Sequence, residues 1–335
     1  MKRILPVLCL FSSLSFGQTV ITSIADGAFY LPTTWDCTCI PADGDSVIIN
    51  HTITMNYGIP YTMGQITINS GGKLTDGGVD QSIYINGGTL VNLGTLECKN
   101  LLLDSGYIYN SNSFTLDSLL TRDSTDNSGT IVVYDFLHDQ NATFTNVGTI
   151  TVTNNFNNEG VFDNVGTMTV ANDFSNCNIQ TSNATFQIDG TLSVANNFLN
   201  CDTDTLRGSG VVNVCGSSTN AGEMQGNFVM NTPSGTLGLN TGTVESGITF
   251  GTAVCDAGTV EQEDNWLIYP NPATSYIKSS LPNVYYTIYD YSGKVFCDSF
   301  SESGLIQLDQ LATGIYAIRL IDRNGSVKTS VLKKD

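Results

Sequence analysis

NVGTITVTNNF, residues 146–156, decides how most of this chain is read. Side chains alternate across an extended strand, so Ile150 and Val152 share one face while Thr149, Thr151 and Thr153 share the other. The segment returns as NVGTMTVANDF (164–174) and IDGTLSVANNF (188–198), which sets Gly148, Gly166 and Gly190 apart by 18 and 24 residues. Looser relatives surround these three: MGQITINSGGKL (63–74), NGGTLVNLGTLECKNLLL (86–103) and GSGVVNVCGSS (208–218). A strand this short cannot bury its apolar face alone, but coils stacked one above another share a continuous core and pair every backbone edge. The expected body is therefore all-β, a right-handed parallel β-helix over residues 18–255. A β-sandwich is the competitor, and the repeat period favours the solenoid.

Three packing expectations follow from the repeat. Asn and Gly at the corners tolerate left-handed backbone angles. Asn154, Asn155, Asn172, Asn196 and Asn197 recur after the strands and are expected to stack as amide ladders at inward corners. Phe156, Phe174 and Phe198 are expected to stack in the same way.

The first coil of a solenoid exposes an unpaired edge and needs a cover. GAFYLPTTWDCTCIPADGDSVIINHTITM (27–55) suits that role, with Trp35 and Phe29 placed to close the core end. About thirty residues here resemble the entrance of bacterial surface β-helix proteins, including those related to the eight-glycine β-helix domain. That resemblance spans adhesins and carbohydrate-active proteins alike and does not choose a function.

Residues 1–17 read as a secretory signal peptide. Met1-Lys2-Arg3 is a positive leader, ILPVLCLFSSLSF (4–16) an apolar core, and Gly17/Gln18 the cleavage point. That core is too short to span a bilayer, and no later stretch reaches the ~20 apolar residues a membrane helix needs. The mature chain is expected to be exported, with no transmembrane segment. Its eight cysteines suit disulfides in an oxidising compartment better than a zinc site, because there is no CxxC pair.

Residues 18–265 hold four basic side chains, Lys73, Lys99, Arg122 and Arg207, against 25 acidic ones. Such a body is repelled by nucleic acid and anionic lipid. It also lacks the cations that a lyase needs to offset an anionic polysaccharide. No GxSxG, HExxH or phosphate-binding glycine loop is present. Asp202 and Asp204 would share one face if their segment were extended, which makes them a weak calcium site beside the plainer reading of a solvated turn. His138, in DFLHDQ, has Asp135 and Asp139 near it, and a metal or acid–base role competes with a structural one; His51 reads as structural or solvated. Tyr84, Tyr107, Tyr109 and Tyr134 are candidates for a sugar-stacking face. No catalytic residue and no cofactor is assigned, calcium being the weak exception.

The acidic stretch 256–265 reads as a linker. Beyond it short strands alternate with turns: SYIKSSL, VYYTIYDY, KVFCDSF, LIQLDQL, IYAIRLID and VKTSVLK, with hairpin turns at 291–294 and 323–326. Together with 266–272 this predicts a small immunoglobulin-like sandwich over 266–335. The same region resembles the C-terminal sorting domain of type IX secretion cargo. The resemblance rests on Tyr269-Pro270-Asn271-Pro272, then Asp290, Gly293 and Lys294 in YDYSGKV, then Leu311, Gly314 and Tyr316 in LDQLATGIYAIRL, and the basic end with Lys333 and Lys334. It implies recognition by the type IX translocon and its sortase, cleavage in the linker, and a secreted or outer-surface destination reached through the periplasm. Three triads, Asp45-Ser46-Val47, Asp117-Ser118-Leu119 and Asp204-Thr205-Leu206, also resemble bacteroidete O-glycosylation sites. Three functions stay open at this level: a non-enzymatic adhesin-like or glycan-contacting module, a carbohydrate-active enzyme at Asp202, Asp204 or His138, and a structural spacer.

Overall fold

The computed structural model describes residues 19–178, 183–255, 268–269, 271–279, 283–289, 295–321 and 327–334. The signal-peptide and linker segments and both C-terminal hairpin turns lie outside these residues. The chain divides into two compact units, one within residues 1–256 and one within 257–335.

The first unit is a parallel β-solenoid of about eleven turns. Each full coil contributes one strand to each of three stacked parallel sheets. In the coil at 161–176, Val161–Asn164 lies in the first sheet, Thr167–Val170 in the second and Phe174–Asn176 in the third. The next coil repeats the order with Thr185–Ile188, Thr191–Val194 and Phe198–Asn200, paired residue for residue with the coil before. The β-sandwich alternative for the body is thereby set aside.

The core follows the alternation seen in the sequence. Ile131, Ile150, Met168 and Leu192 stack inward along the second sheet, each wholly buried. Phe156, Phe174 and Phe198 stack along the third sheet as expected, with Phe174 and Phe198 parallel and centred 5.1 Å apart. A second column of Phe144, Phe162 and Phe186 runs along the first sheet, its centroids 4.6 and 5.0 Å apart. The columns meet edge to face, as at Phe174 and Phe186. At the first coil Trp35 and Phe29 are buried and in edge contact, and the Trp35 indole N–H donates to the Phe29 carbonyl. They close the core end as their placement in the sequence suggests.

One expectation holds in part and one needs correction. Gly106, Gly208, Gly226 and Asn141 take left-handed angles at corners, whereas the repeat glycines Gly148, Gly166 and Gly190 do not. They are required by close approach instead: a Cβ on Gly166 would strike the carbonyl oxygen of Gly148, and one on Gly190 that of Gly166. The amide ladders expected at Asn154, Asn172 and Asn196 do form, but on the outer surface. The inward ladders use other asparagines. Along the first sheet Asn92, Asn110, Asn127 and Asn146 each pass an Nδ2–H to the next Oδ1 at 2.7–2.8 Å, the ladder ending at Asn164. Along the third, Asn158, Asn176, Asn200 and Asn220 do the same. All are buried.

Three disulfides fasten the solenoid: Cys37–Cys39, Cys177–Cys201 and Cys215–Cys255. Cys98 and Cys297 are free thiols. Among the described residues no helix is long and apolar enough to cross a membrane.

The second unit is a sandwich of two antiparallel sheets. Ile268–Tyr269, Tyr276–Ser279 and Leu305–Gln307 form one; Val295–Ser301, Val284–Tyr289, Gly314–Ile321 and Val327–Lys334, in that spatial order, form the other. Ile277, Ile288, Ile306, Ile318 and Leu332 fill the space between them. This is the immunoglobulin-like arrangement expected.

Candidate functional site

The sequence candidates in the body are dispersed by the fold. Thr203 has a left-handed backbone (φ 72°), so residues 202–204 are not extended. Asp202 is exposed and Asp204 buried, and the two carboxylates do not share a face. Asp204 instead accepts the backbone N–H of Asn178 at 2.9 Å and of Ala184 at 2.7 Å. Burial pushes its carboxyl above the usual carboxylate range, and these two donors pull it back. Among the described residues no three His, Cys, Asp or Glu side chains converge as metal ligands.

His138 sits where the third-sheet asparagine ladder would place its next member, paired with Asn158. Its Nδ1 accepts from the Thr121 hydroxyl at 2.7 Å, and its Nε2–H donates to the Val161 carbonyl at 3.1 Å. Asn158, Asn176 and Asn200 make the corresponding bond to Thr185, Thr205 and Glu223, the residues that pair in turn with Val161. The imidazole is thus a ladder member, fully buried, and burial lowers its pKa to about 4 against the weaker opposite pull of its carbonyl partners and Asp139. His51 bonds through Nδ1 to the Ser23 hydroxyl at 2.9 Å.

The tyrosines do not form one row. Tyr107 and Tyr109 stand side by side on the outer face of the first sheet, and the Tyr107 phenol donates to Asp126 at 2.5 Å. Tyr84 lies on the third sheet, in register with Leu102, Leu120 and Leu137. Tyr134 is exposed at the bend between the second and third sheets.

A cleft of about 260 Å³ opens on the early coils, lined by Asp76, Asp80, Glu97, Lys99 and Asp117 above the buried Cys98 thiol. Lys99 pairs with Asp80 at 2.9 Å and Lys73 with Glu97 at 2.6 Å. Burial raises the Asp117 carboxyl, partly offset by Lys99. These acids come from successive coils and are scattered in the sequence. Only the register Thr75–Glu97–Thr115 brings them together, and that register is set by turn lengths.

In the second unit two of the described sorting-motif positions, Asn271 and Lys333, meet where the opening segment runs beside the last strand. Asn271 accepts the Lys333 backbone N–H at 2.9 Å, and the Ala273 N–H donates to the Lys333 carbonyl at 2.8 Å, so the opening motif is stitched to the last strand. Tyr269 is exposed. Leu311 and Tyr316 are buried, and the Tyr316 phenol donates to the Ala312 carbonyl at 2.9 Å. Gly314 and Lys334 pair across the strands that Ile315 and Lys333 continue. Pro270, Asp290, Gly293 and Lys294 lie outside the described residues.

Residues 267–334 match the family of secretion system C-terminal sorting domains. This unit is a type IX sorting domain. A protein that carries such a domain is secreted or displayed on the cell surface, and the domain engages the type IX secretion machinery. Among solved structures the chain is similar to PorZ, a bacterial surface component of the type IX secretion system of Porphyromonas gingivalis. The identity is 18% and the TM-score 0.20, over 26% of this chain and 13% of that one. No curated protein matches the chain. The sorting domain therefore accounts for the route, and the solenoid that it accompanies is the cargo.

Proposed function

We propose that the solenoid is a non-enzymatic, adhesin-like contact module delivered to the cell exterior by its sorting domain. The signal peptide at 1–17 carries the chain to the periplasm. The translocon reads the domain through the surface around Tyr269, Pro270, Asn271 and Pro272 and the basic end at Lys333 and Lys334. Asp290, Gly293 and Lys294 belong to the same recognition motif, Leu311, Gly314 and Tyr316 hold the fold, and the sortase cuts within 256–265.

One observation carries the contact reading: each outward position recurs in register from coil to coil, giving three long faces of repeated side chains. Repetition of weak contacts along a rigid face raises avidity without any deep pocket. The chemistry-bearing residues support the same reading, since His138 and Asp204 spend their polar atoms on neighbouring coils. A glycan array and a reducing-sugar release assay on the purified chain test it together. Binding without release is expected, and turnover of any polysaccharide would replace the module with a carbohydrate-active enzyme.

A further inference from the structure

The second sheet differs from its neighbours on the outside. Between residues 113 and 193 its ten outward positions hold seven threonines, two serines and Val132. They form two ranks, one containing Thr149 and Thr167 and the other Thr151 and Thr169, all half-buried or exposed. None carries a charge, on a chain with net charge −18. The first sheet, by contrast, presents Asp126, Asp163 and Arg207, and the third presents Leu102, Leu120 and Leu137.

We infer that this face binds the surface of an ice crystal, a reading that rests on the solenoid being a contact module. The register is unbroken across these coils. Hydroxyls therefore repeat at about 4.7–4.9 Å from coil to coil and about 6.6–6.8 Å along each strand. Those two repeats lie close to the oxygen-to-oxygen spacings on a prism plane of hexagonal ice. In Thr149, Thr151, Thr167 and Thr169 the hydroxyls make no hydrogen bond to a protein group, so they are available as lattice positions. The β-branched side chains are stiff at χ1, which holds each hydroxyl and methyl in a fixed place with little entropy left to lose. Charge matching selects the occupant. Ice is a neutral lattice of donors and acceptors, and a neutral face imposes no tightly oriented hydration shell on it. An aromatic platform, which stacking on a crystalline polysaccharide would use, is absent from these ten positions.

Ice-affinity partition of the full chain tests this. Ice is grown slowly from a solution that also holds an inert control protein, and the fraction of each taken into the ice is measured. The native chain is expected to be enriched over the control and to shape growing ice crystals. Thr151→Tyr with Thr169→Tyr should lower the enrichment at least about tenfold, equivalent to 1.4 kcal/mol of binding. Leu199→Tyr, the same bulk on the third sheet, should leave it unchanged. Melting temperatures are recorded for all variants, and Thr149→Lys serves if the double variant melts early. Rejection of the native chain from ice, or equal loss with Leu199→Tyr, overturns the inference. Retention on crystalline cellulose without ice uptake also overturns it, while leaving the contact module standing.

Discussion

His138 illustrates how one residue can look functional in sequence and structural in space. Flanked by acids in DFLHDQ, it suggests acid–base chemistry, yet both ring nitrogens are committed to Thr121 and Val161. The substitution of imidazole for an amide leaves a mark on the next coil. Asn158 Oδ1, which an asparagine at 138 would supply with a proton, is buried with no protein partner. His138→Asn should therefore extend the ladder and keep the fold at neutral pH. The sign of the pH effect follows from the depressed pKa of about 4 against an ordinary value near 6.5. The unfolded chain binds a proton between those values and the folded chain does not, so the native protein loses stability as pH falls from 6.5 to 4. The loss is about 3 kcal/mol. Denaturant melts across that window should show the variant gaining by this amount on the native chain. A gap that stays constant with pH would remove His138 from this role.

At the scale of the element, the buried amide ladders carry stability that no single bond would suggest. Asn146 donates to Asn164 and accepts from Asn127, so its removal orphans groups on both neighbouring coils. Asn146→Leu should cost roughly 2–6 kcal/mol, one to three for each of the two buried groups left unpaired. Asn154→Leu, on the outer ladder, should cost under about 1 kcal/mol. Equal losses in thermal melts would contradict the division into inner and outer ladders. That division marks the limit of what could be read from the repeat. Strand alternation gave the core residues Ile150 and Val152 and the Phe156 column directly, because period two leaves no choice of face. Asn146 and Asn158 point in by the same alternation, two residues after the buried Phe144 and Phe156 on one strand face. The asparagines after the second-sheet strand, such as Asn154, fall outside the strands, where alternation no longer assigns a face. The acidic cleft was illegible for a related reason: Asp76, Glu97 and Asp117 become neighbours only once coil lengths are known.

On the scale of the whole molecule, route and cargo separate. The four sorting motifs were legible because they recur in order over seventy residues, and the fold shows why two of them need each other: Asn271 and Ala273 bind the Lys333 backbone. Deletion of residues 266–335 should leave the chain in the periplasm, as scored by fractionation of producing cells. Surface or medium localisation of the truncated chain would sink the assignment of the sorting role. Asn271→Ala is a gentler probe of the same point, because it removes one stitch and leaves the sheets intact.

The Cys215–Cys255 bridge has a mechanical consequence. It joins the turn after the second-sheet strand at 211–214 to a point 40 residues further on. A chain pulled from its C-terminal side cannot unspool the coils inside that loop, since the load passes through the covalent bridge. Roughly 140 Å of contour length stays hidden at any force that leaves the disulfide whole. Cys177–Cys201 imposes the same restriction on one coil further in. Under shear the solenoid therefore yields in steps set by its cysteines, with its terminal coils latched until a reductant opens them.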